Sequence, residues 1–198
     1  LAGEVCLSCE TKLGFICDSC LSELPYLKNN ICNVCATQMS SVDNLVCGTC
    51  LKFPPAFNRI VSFYIYEGVI RKIIQEAKFN KKTFYFSKLL NIIENDIKRV
   101  IPSSYTAIVP IPVSKRRLLE RGYNQSLIIA KRLSKILKIP ILDDCLVKVK
   151  DTPPQTRFGK EERFKNIKDV FFLKKNINSD KVIIVDDIVT TTATVREV

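Results

Sequence analysis

The sequence predicts an α/β fold, a Rossmann-like parallel sheet joined to a small N-terminal module held by cysteine. Three observations carry that prediction. Val182, Ile183, Ile184 and Val185 form an unbroken apolar run, the pattern of a strand buried on both faces of a parallel sheet. A second apolar run, residues 107–113, is separated from the first by segments whose apolar residues recur at helical spacing. Eight of the nine cysteines fall in four Cys-x-x-Cys pairs within the first 52 residues.

Those pairs are Cys6/Cys9, Cys17/Cys20, Cys32/Cys35 and Cys47/Cys50. Two sulfurs on one tight knuckle can both reach a tetrahedral ion at about 2.3 Å, and two knuckles complete a four-thiolate zinc site. Eight ligands imply two structural zinc ions. The chain has no histidine, so every ligand must be a thiolate. Disulfides are the alternative in a secreted protein, and four repeated pairs exceed what a thioredoxin-type redox centre uses. Short connections favour two sequential ribbons, and a cross-braced arrangement of first pair with third stays open. A closed thiolate site stabilises and has no position left for catalysis. So small a segment could not fold on its apolar residues alone.

At 198 residues the chain suits one ordinary α/β domain with an appendage. No stretch approaches the roughly 18 apolar residues of a membrane span. Residues 1–4 lack the basic and apolar regions of a signal peptide, and a cytoplasmic location is expected. Net charge is +11. Residues 1–55 carry −2, from three lysines against five acids, which leaves +13 for the remainder. A basic C-terminal part draws a polyanion or a phosphate-rich ligand. The missing histidines also exclude His-based acid–base and nucleophilic catalysis.

Pro54 and Pro55 mark a boundary, giving domains at 1–55 and 56–198. Residues 60–66, rich in β-branched and aromatic side chains, read as a strand. Ile70, Ile73, Ile74 and Ala77 define one helical face, and Leu89, Leu90, Ile93 and Ile97 define another on a helix over about 84–100. The run 107–113 reads as a strand that Pro110 and Pro112 end early. Residues 114–125 follow as a strand-to-helix connection carrying Lys115, Arg116, Arg117 and Arg121. Arginines there suit bidentate contact with phosphate. Leu127, Ile128, Leu133, Ile136 and Leu137 give the next helix its buried face. Residues 143–150 contain a short strand, 152–166 read as a long mobile loop, and 169–173 return to a strand. Cys145, the unpaired cysteine, is a buried apolar residue on this reading.

The last strand ends in Asp186 and Asp187, followed by Thr190, Thr191, Thr192, Ala193 and Thr194 and by the opening of a helix. Ligands of open α/β sheets sit beyond the carboxyl ends of strands, and free N–H groups at a helix start hold phosphate. Carboxylates for hydroxyls or Mg²⁺ beside a hydroxyl-rich turn point to a sugar phosphate.

This run resembles the phosphoribosyl pyrophosphate (PRPP) motif of type I phosphoribosyltransferases. The resemblance implies that Asp186 and Asp187 face the ribose hydroxyls as the catalytic acids and that Thr190, Thr191, Thr192, Ala193 and Thr194 wrap the 5′-phosphate. The motif has glycine where this chain has Thr192. Glycine lets the backbone approach phosphate or take positive φ, and a β-branched residue is expected to tilt or narrow the loop.

The order of the pieces resembles the ComF/GntX family of ComFC-like competence proteins, a Cys-x-x-Cys module ahead of a phosphoribosyltransferase-like domain. The matching residues are Pro110 to Pro112, Arg116-Arg117, Arg121-Gly122-Tyr123-Asn124-Gln125, the set Thr152, Gln155, Arg163 and Asn166, and the acid pair with its threonine turn. The resemblance implies handling of incoming single-stranded DNA in natural transformation, or use of DNA as a nutrient. An active phosphoribosyltransferase of nucleotide metabolism is the alternative, with Mg²⁺ and PRPP bound. A helicase or channel partner docking on the zinc module is a further expectation. A type I domain continues with a helix and more strands, so further chain beyond Val198 is expected.

Overall fold

The structure is a computed structural model that describes residues 5–27, 30–40, 45–150, 169–190 and 192–198. These fall into two compact units, Leu1–Lys88 and Leu89–Val198. Residues 56–88 group with the cysteine module in that division.

The first unit begins with the same knuckle built twice. The Cys32 thiol receives the Cys47 N–H at 3.3 Å just as the Cys6 thiol receives the Cys17 N–H at 3.3 Å. The Glu10 N–H reaches the Cys6 carbonyl and the Ala36 N–H reaches that of Cys32, each at 2.9 Å. The turn residues Glu10 and Ala36 both take positive φ, +60° and +57°. Each repeat closes with a short helix led by its second pair, α1 (Asp18–Leu21) and α2 (Gly48–Lys52). Repeated hydrogen-bond geometry around a repeated Cys-x-x-Cys is what a repeated ligand task imposes on the backbone.

Residues 60–66 do not form the expected strand. Their only ladder among the described residues is a single bridge, Tyr26 with Tyr64, flanked by the Leu27 N–H on Phe63 and the Ile65 N–H on Pro25. Among the described residues that one bridge is all the pairing this stretch has, so its β-propensity is not realised as a ladder. Helix α3 (Gly68–Phe79) buries Ile70, Ile73, Ile74 and Ala77, the face that its spacing predicts. Fully burying each such isoleucine contributes about 1.5–3 kcal/mol. The helix expected over 84–100 is two helices, α4 (Phe84–Ile92) and α5 (Glu94–Val100). Ile93 sits between them at φ −107° and ψ 18°, 2% exposed. Apolar spacing alone could not see this break, because Leu89, Ile93 and Ile97 stay buried on both sides of it.

In the second unit β1 (Ala107–Pro110) lies parallel to β4 (Val182–Val185), in the register Ala107 with Val182 through Pro110 with Val185. All four β1 residues are buried. Pro110 and Pro112 remove donors as expected, and the intervening Ile111 N–H still reaches the Val185 carbonyl at 2.9 Å. A single parallel bridge from Ile108 to Ile141 adds a third line on the other side of β1. The parallel sheet is therefore small. Residues 114–121, expected as a connection, form a helix, α6 (Lys115–Arg121), which Ser114 caps by accepting the Arg117 N–H at 3.4 Å. Gly122 ends it at φ +83°, the left-handed stop that glycine takes without penalty. Helix α7 (Gln125–Leu137) then packs on β1 and β4. The antiparallel pair of β2 (Leu146–Lys148) and β3 (Phe171–Leu173) contributes Leu146 and Phe171 to one core with Val109, Ile111, Cys145 and Val170. Cys145 is buried there, as its apolar reading expects. The loop 152–166 and Thr191 lie outside the described residues. Helix α8 (Ala193–Glu197) follows the threonine turn.

Candidate functional site

The cysteines sort into two groups, Cys6, Cys9, Cys17 and Cys20 in one and Cys32, Cys35, Cys47 and Cys50 in the other, with the sulfurs of each group within 4.8 Å of one another. The sequential pairing is thus the one the fold adopts, not the cross-brace. A tetrahedral zinc with bonds of about 2.3 Å holds its sulfurs about 3.8 Å apart. Cys9 and Cys17 stand 3.8 Å apart, and Cys35 and Cys47 stand 3.6 Å apart. Both groups fit the ion. The surroundings split the thiols: the Thr11 hydroxyl, with backbone N–H groups, draws the Cys9 thiol down to about 5, while at Cys20 the Ser8 hydroxyl is outweighed by the Cys17 thiol and burial, which push it up to about 11. Burial opposes ionisation of Cys32, yet the N–H groups of Cys47, Cys35 and Val34 outweigh it and bring it to about 6. Burial and the neighbouring Cys35 and Cys47 thiols push Cys50 up to about 12.

The second constellation forms where β1 and β4 end. Asp186 Oδ1 accepts the Ser126 hydroxyl at 3.2 Å and the Asp187 N–H at 2.9 Å. Ser126 is 1% exposed, so this tie joins the acid pair to the first turn of α7. Asn124 sets that turn: its Oδ1 caps the Ser126 N–H at 3.0 Å, and its Nδ2 donates to the Ile111 carbonyl at 3.1 Å, just past β1. One side chain thereby fastens the helix start to the strand end. Gln125 beside it is buried, and its amide oxygen has no hydrogen-bond partner among the described residues. Tyr123 lies within reach of both signs of charge: burial pushes its hydroxyl up, the Arg121 cation pulls it down, and the Asp187 carboxylate pushes it up again. Arg121, Tyr123, Ser126, Asp186 and Asp187 therefore share one neighbourhood.

The remaining predicted residues are spread more widely. Arg116 is exposed and pairs with Glu120 at 3.4 Å on its own helix, while Arg117 contributes its N–H to the Ser114 cap. Thr190 is exposed, and Ala193 and Thr194 lie in the first turn of α8. Thr192 is 8% exposed and holds φ +61°, the glycine-like conformation, with its hydroxyl accepting the Arg196 Nε–H at 3.1 Å. The sequence reading missed Ser126. The signal was present, since an Asn two residues ahead of a Ser at the start of an apolar-periodic run is a cap and its target. A cavity of about 270 Å³ lies elsewhere, lined by Val109, Leu146, Phe171, Ile184 and Val198 among others, and touches none of the predicted site residues. Eight of its nine lining residues are apolar, Glu197 being the exception, and none is a cation that would bind a phosphate. Among the described residues no helix is long and apolar enough to cross a membrane.

Fold and site together define a class: a small parallel α/β unit with paired acids at a strand end, preceded in the chain by two four-cysteine ribbons. The chain is 31% identical over 158 residues to Competence protein F of Haemophilus influenzae, covering 75% of this chain and 68% of that protein. It belongs to the ComF family of competence proteins. It is also 28% identical to the DNA utilization protein YhgH of Escherichia coli K12, over 75% of this chain and 67% of that one. With Competence protein ComFC of Bacillus subtilis 168 it shares 26% identity, over 68% of this chain and 54% of that protein. No family model matches the chain. No solved structure matches it either.

Proposed function

We propose that this protein binds single-stranded DNA during transformation or DNA utilisation, and that the ends of β1 and β4 form a pocket for PRPP or a related sugar phosphate. The relation to proteins named for competence and for DNA utilization carries the DNA half of this reading. The net charge of +11 supplies the attraction that a polyanion needs. In the type I phosphoribosyltransferase arrangement, residues 56–198 make the ligand-binding domain and 1–55 the zinc module.

In the pocket, Asp186 and Asp187 would hold the ribose hydroxyls or Mg²⁺, and the turn from Thr190 to Thr194 would hold the 5′-phosphate. Magnesium, when bound, would neutralise phosphate charge. Ser126 orients Asp186, and Tyr123 lies within reach of both the Arg121 cation and the Asp187 carboxylate. Thr192 itself takes a positive φ, the backbone conformation that a glycine at that position of the motif would allow. A buried amide oxygen at Gln125 fits a hydroxyl donor.

The test is titration of a labelled single-stranded oligonucleotide at increasing salt. Electrostatic binding should weaken by about 0.7 in log affinity per log unit of salt for each phosphate neutralised. Absence of binding, or binding indifferent to salt, refutes the DNA half. The second reading, an active phosphoribosyltransferase, is favoured by the acid pair at the end of β4. It predicts pyrophosphate release from PRPP with at least one nucleobase, and silence with all of them counts against it.

A further inference from the structure

The stretch 78–88, Lys-Phe-Asn-Lys-Lys-Thr-Phe-Tyr-Phe-Ser-Lys, joins α3 to α4 and has no part in either site described above. It contains four lysines, four aromatic rings and no acid. An ordinary amphipathic connection would bury its rings and leave polar residues outside. Here Phe86 and Tyr85 are buried, at 3% exposed each, while Phe79 is 70% exposed and Phe84 is 46% exposed. A single exposed phenylalanine is unremarkable on a protein surface. Two of them, five residues apart in a cationic run, ask for a partner with both flat apolar faces and negative charge.

Two of the lysines are also held in place. Lys88 Nζ lies 5.0 Å from the Phe15 ring centre, 5.1 Å from that of Phe84 and 5.9 Å from that of Tyr85. Lys82 Nζ lies 5.6 Å from the Tyr85 ring and 2.9 Å from Glu76. Phe84 meets Tyr85 edge-on at 4.6 Å, and Tyr85 meets Phe15 at 5.0 Å. Ammonium groups fixed beside rings put positive charge next to a stacking surface without the cost of ordering long side chains on binding. Lys81, exposed at the turn, adds a further cation.

We propose that the α3–α4 connection is a contact surface for single-stranded nucleic acid, with Phe79 and Phe84 stacking on unpaired bases and Lys78, Lys81, Lys82 and Lys88 holding the adjoining phosphates. Unpaired bases expose π-faces that a duplex keeps stacked, so the surface selects single strands over double. This deepens the DNA-binding reading above and rests on it.

The chain has no tryptophan, so Phe79→Trp places a single indole at the surface without touching the core. Its emission should be quenched as a single-stranded oligonucleotide of about 12 nucleotides is added, and much less by the matching duplex. The double substitution Phe79→Ala with Phe84→Ala should weaken single-strand binding about 10-fold or more. Lys81→Ala should lower the salt slope by about 0.7. An unchanged far-ultraviolet circular dichroism spectrum shows that each variant is folded. Salt-sensitive oligonucleotide binding that leaves the indole emission of the Phe79→Trp chain unchanged, with full affinity in the double variant, overturns this surface and leaves the DNA-binding reading standing. If no oligonucleotide binds the wild-type chain at all, both fall together.

Discussion

Thr192 holds a backbone conformation that β-branched residues rarely take, φ +61°. The left-handed region costs an L-residue about 1–2 kcal/mol. Its hydroxyl recovers part of that through Arg196 Nε, a charge-assisted bond but a partly exposed one, worth about 1 kcal/mol. Thr192→Gly removes the strain and the bond together and adds backbone entropy to the unfolded chain. These effects nearly cancel, so stability should shift by less than about 1 kcal/mol in thermal unfolding. The loop is then freed of a side chain at the point where a phosphate would approach. Calorimetry with PRPP and Mg²⁺ should show tighter binding by the glycine variant, and equal affinities would remove the turn from the pocket. Asn124 makes the opposite case, in which one side chain has two structural tasks. Asn124→Ala should cost about 1–2 kcal/mol through the lost cap, plus the Ile111 carbonyl left without its donor. Urea unfolding of the variant reads this directly.

At the scale of elements, a bound metal would stabilise the cysteine ribbons more than burial does. Around their sulfurs the exposed apolar residues include Leu13, Leu45, Leu51 and Phe53, so little apolar surface is removed from water. Chelation should therefore unfold both knuckles, and a colorimetric thiol-displacement assay should release two zinc equivalents from the wild-type chain. Cys17→Ser should release one, since the two groups share no ligand. Loss of both from that single substitution would refute two independent sites. The ligands were legible in the sequence because metal coordination fixes spacing locally. The pairing was not, because sequential and cross-braced ribbons use the same four knuckles. Helix α6 shows the converse failure. Its composition read as a basic connection, while Ser114 at its start and Gly122 at its end are the stop signals of a helix too short for periodicity to register. Residues 60–66 failed for a third reason: strand propensity is realised only against a partner of matching length, and Tyr26 supplies one pairing position.

At the scale of the whole molecule, charge is the property on which the proposed DNA binding depends. Substituting Arg116 and Arg117 together by alanine should lower the salt slope of oligonucleotide binding by up to about 1.4 if both meet phosphate, since each contact contributes about 0.7 on single strands. Arg116 is shared with Glu120, an exposed pair worth at most about 1 kcal/mol, which a phosphate could displace. Fluorescence anisotropy across a salt series measures the slope, and an unchanged value would place the DNA elsewhere on the surface.

By itself the sequence determined the all-cysteine make-up of the two ligand groups, the parallel strand ending in two acids, the helical face of α3, and the family, because each depends on residues near one another along the chain; it overstated the burial of β4, where only Val185 is buried, and of the α7 face, where Leu133 and Ile136 are buried but Leu127, Ile128 and Leu137 are half-buried. Only the tertiary structure decided which Cys-x-x-Cys knuckles come together, that Ser126 and Asn124 fasten the acid pair to a helix start, and that Phe79 and Phe84 stay on the surface. Those outcomes depend on contacts between residues as many as 60 positions apart. No local pattern contains them, because burial and hydrogen bonding at such separations are set by how the elements pack.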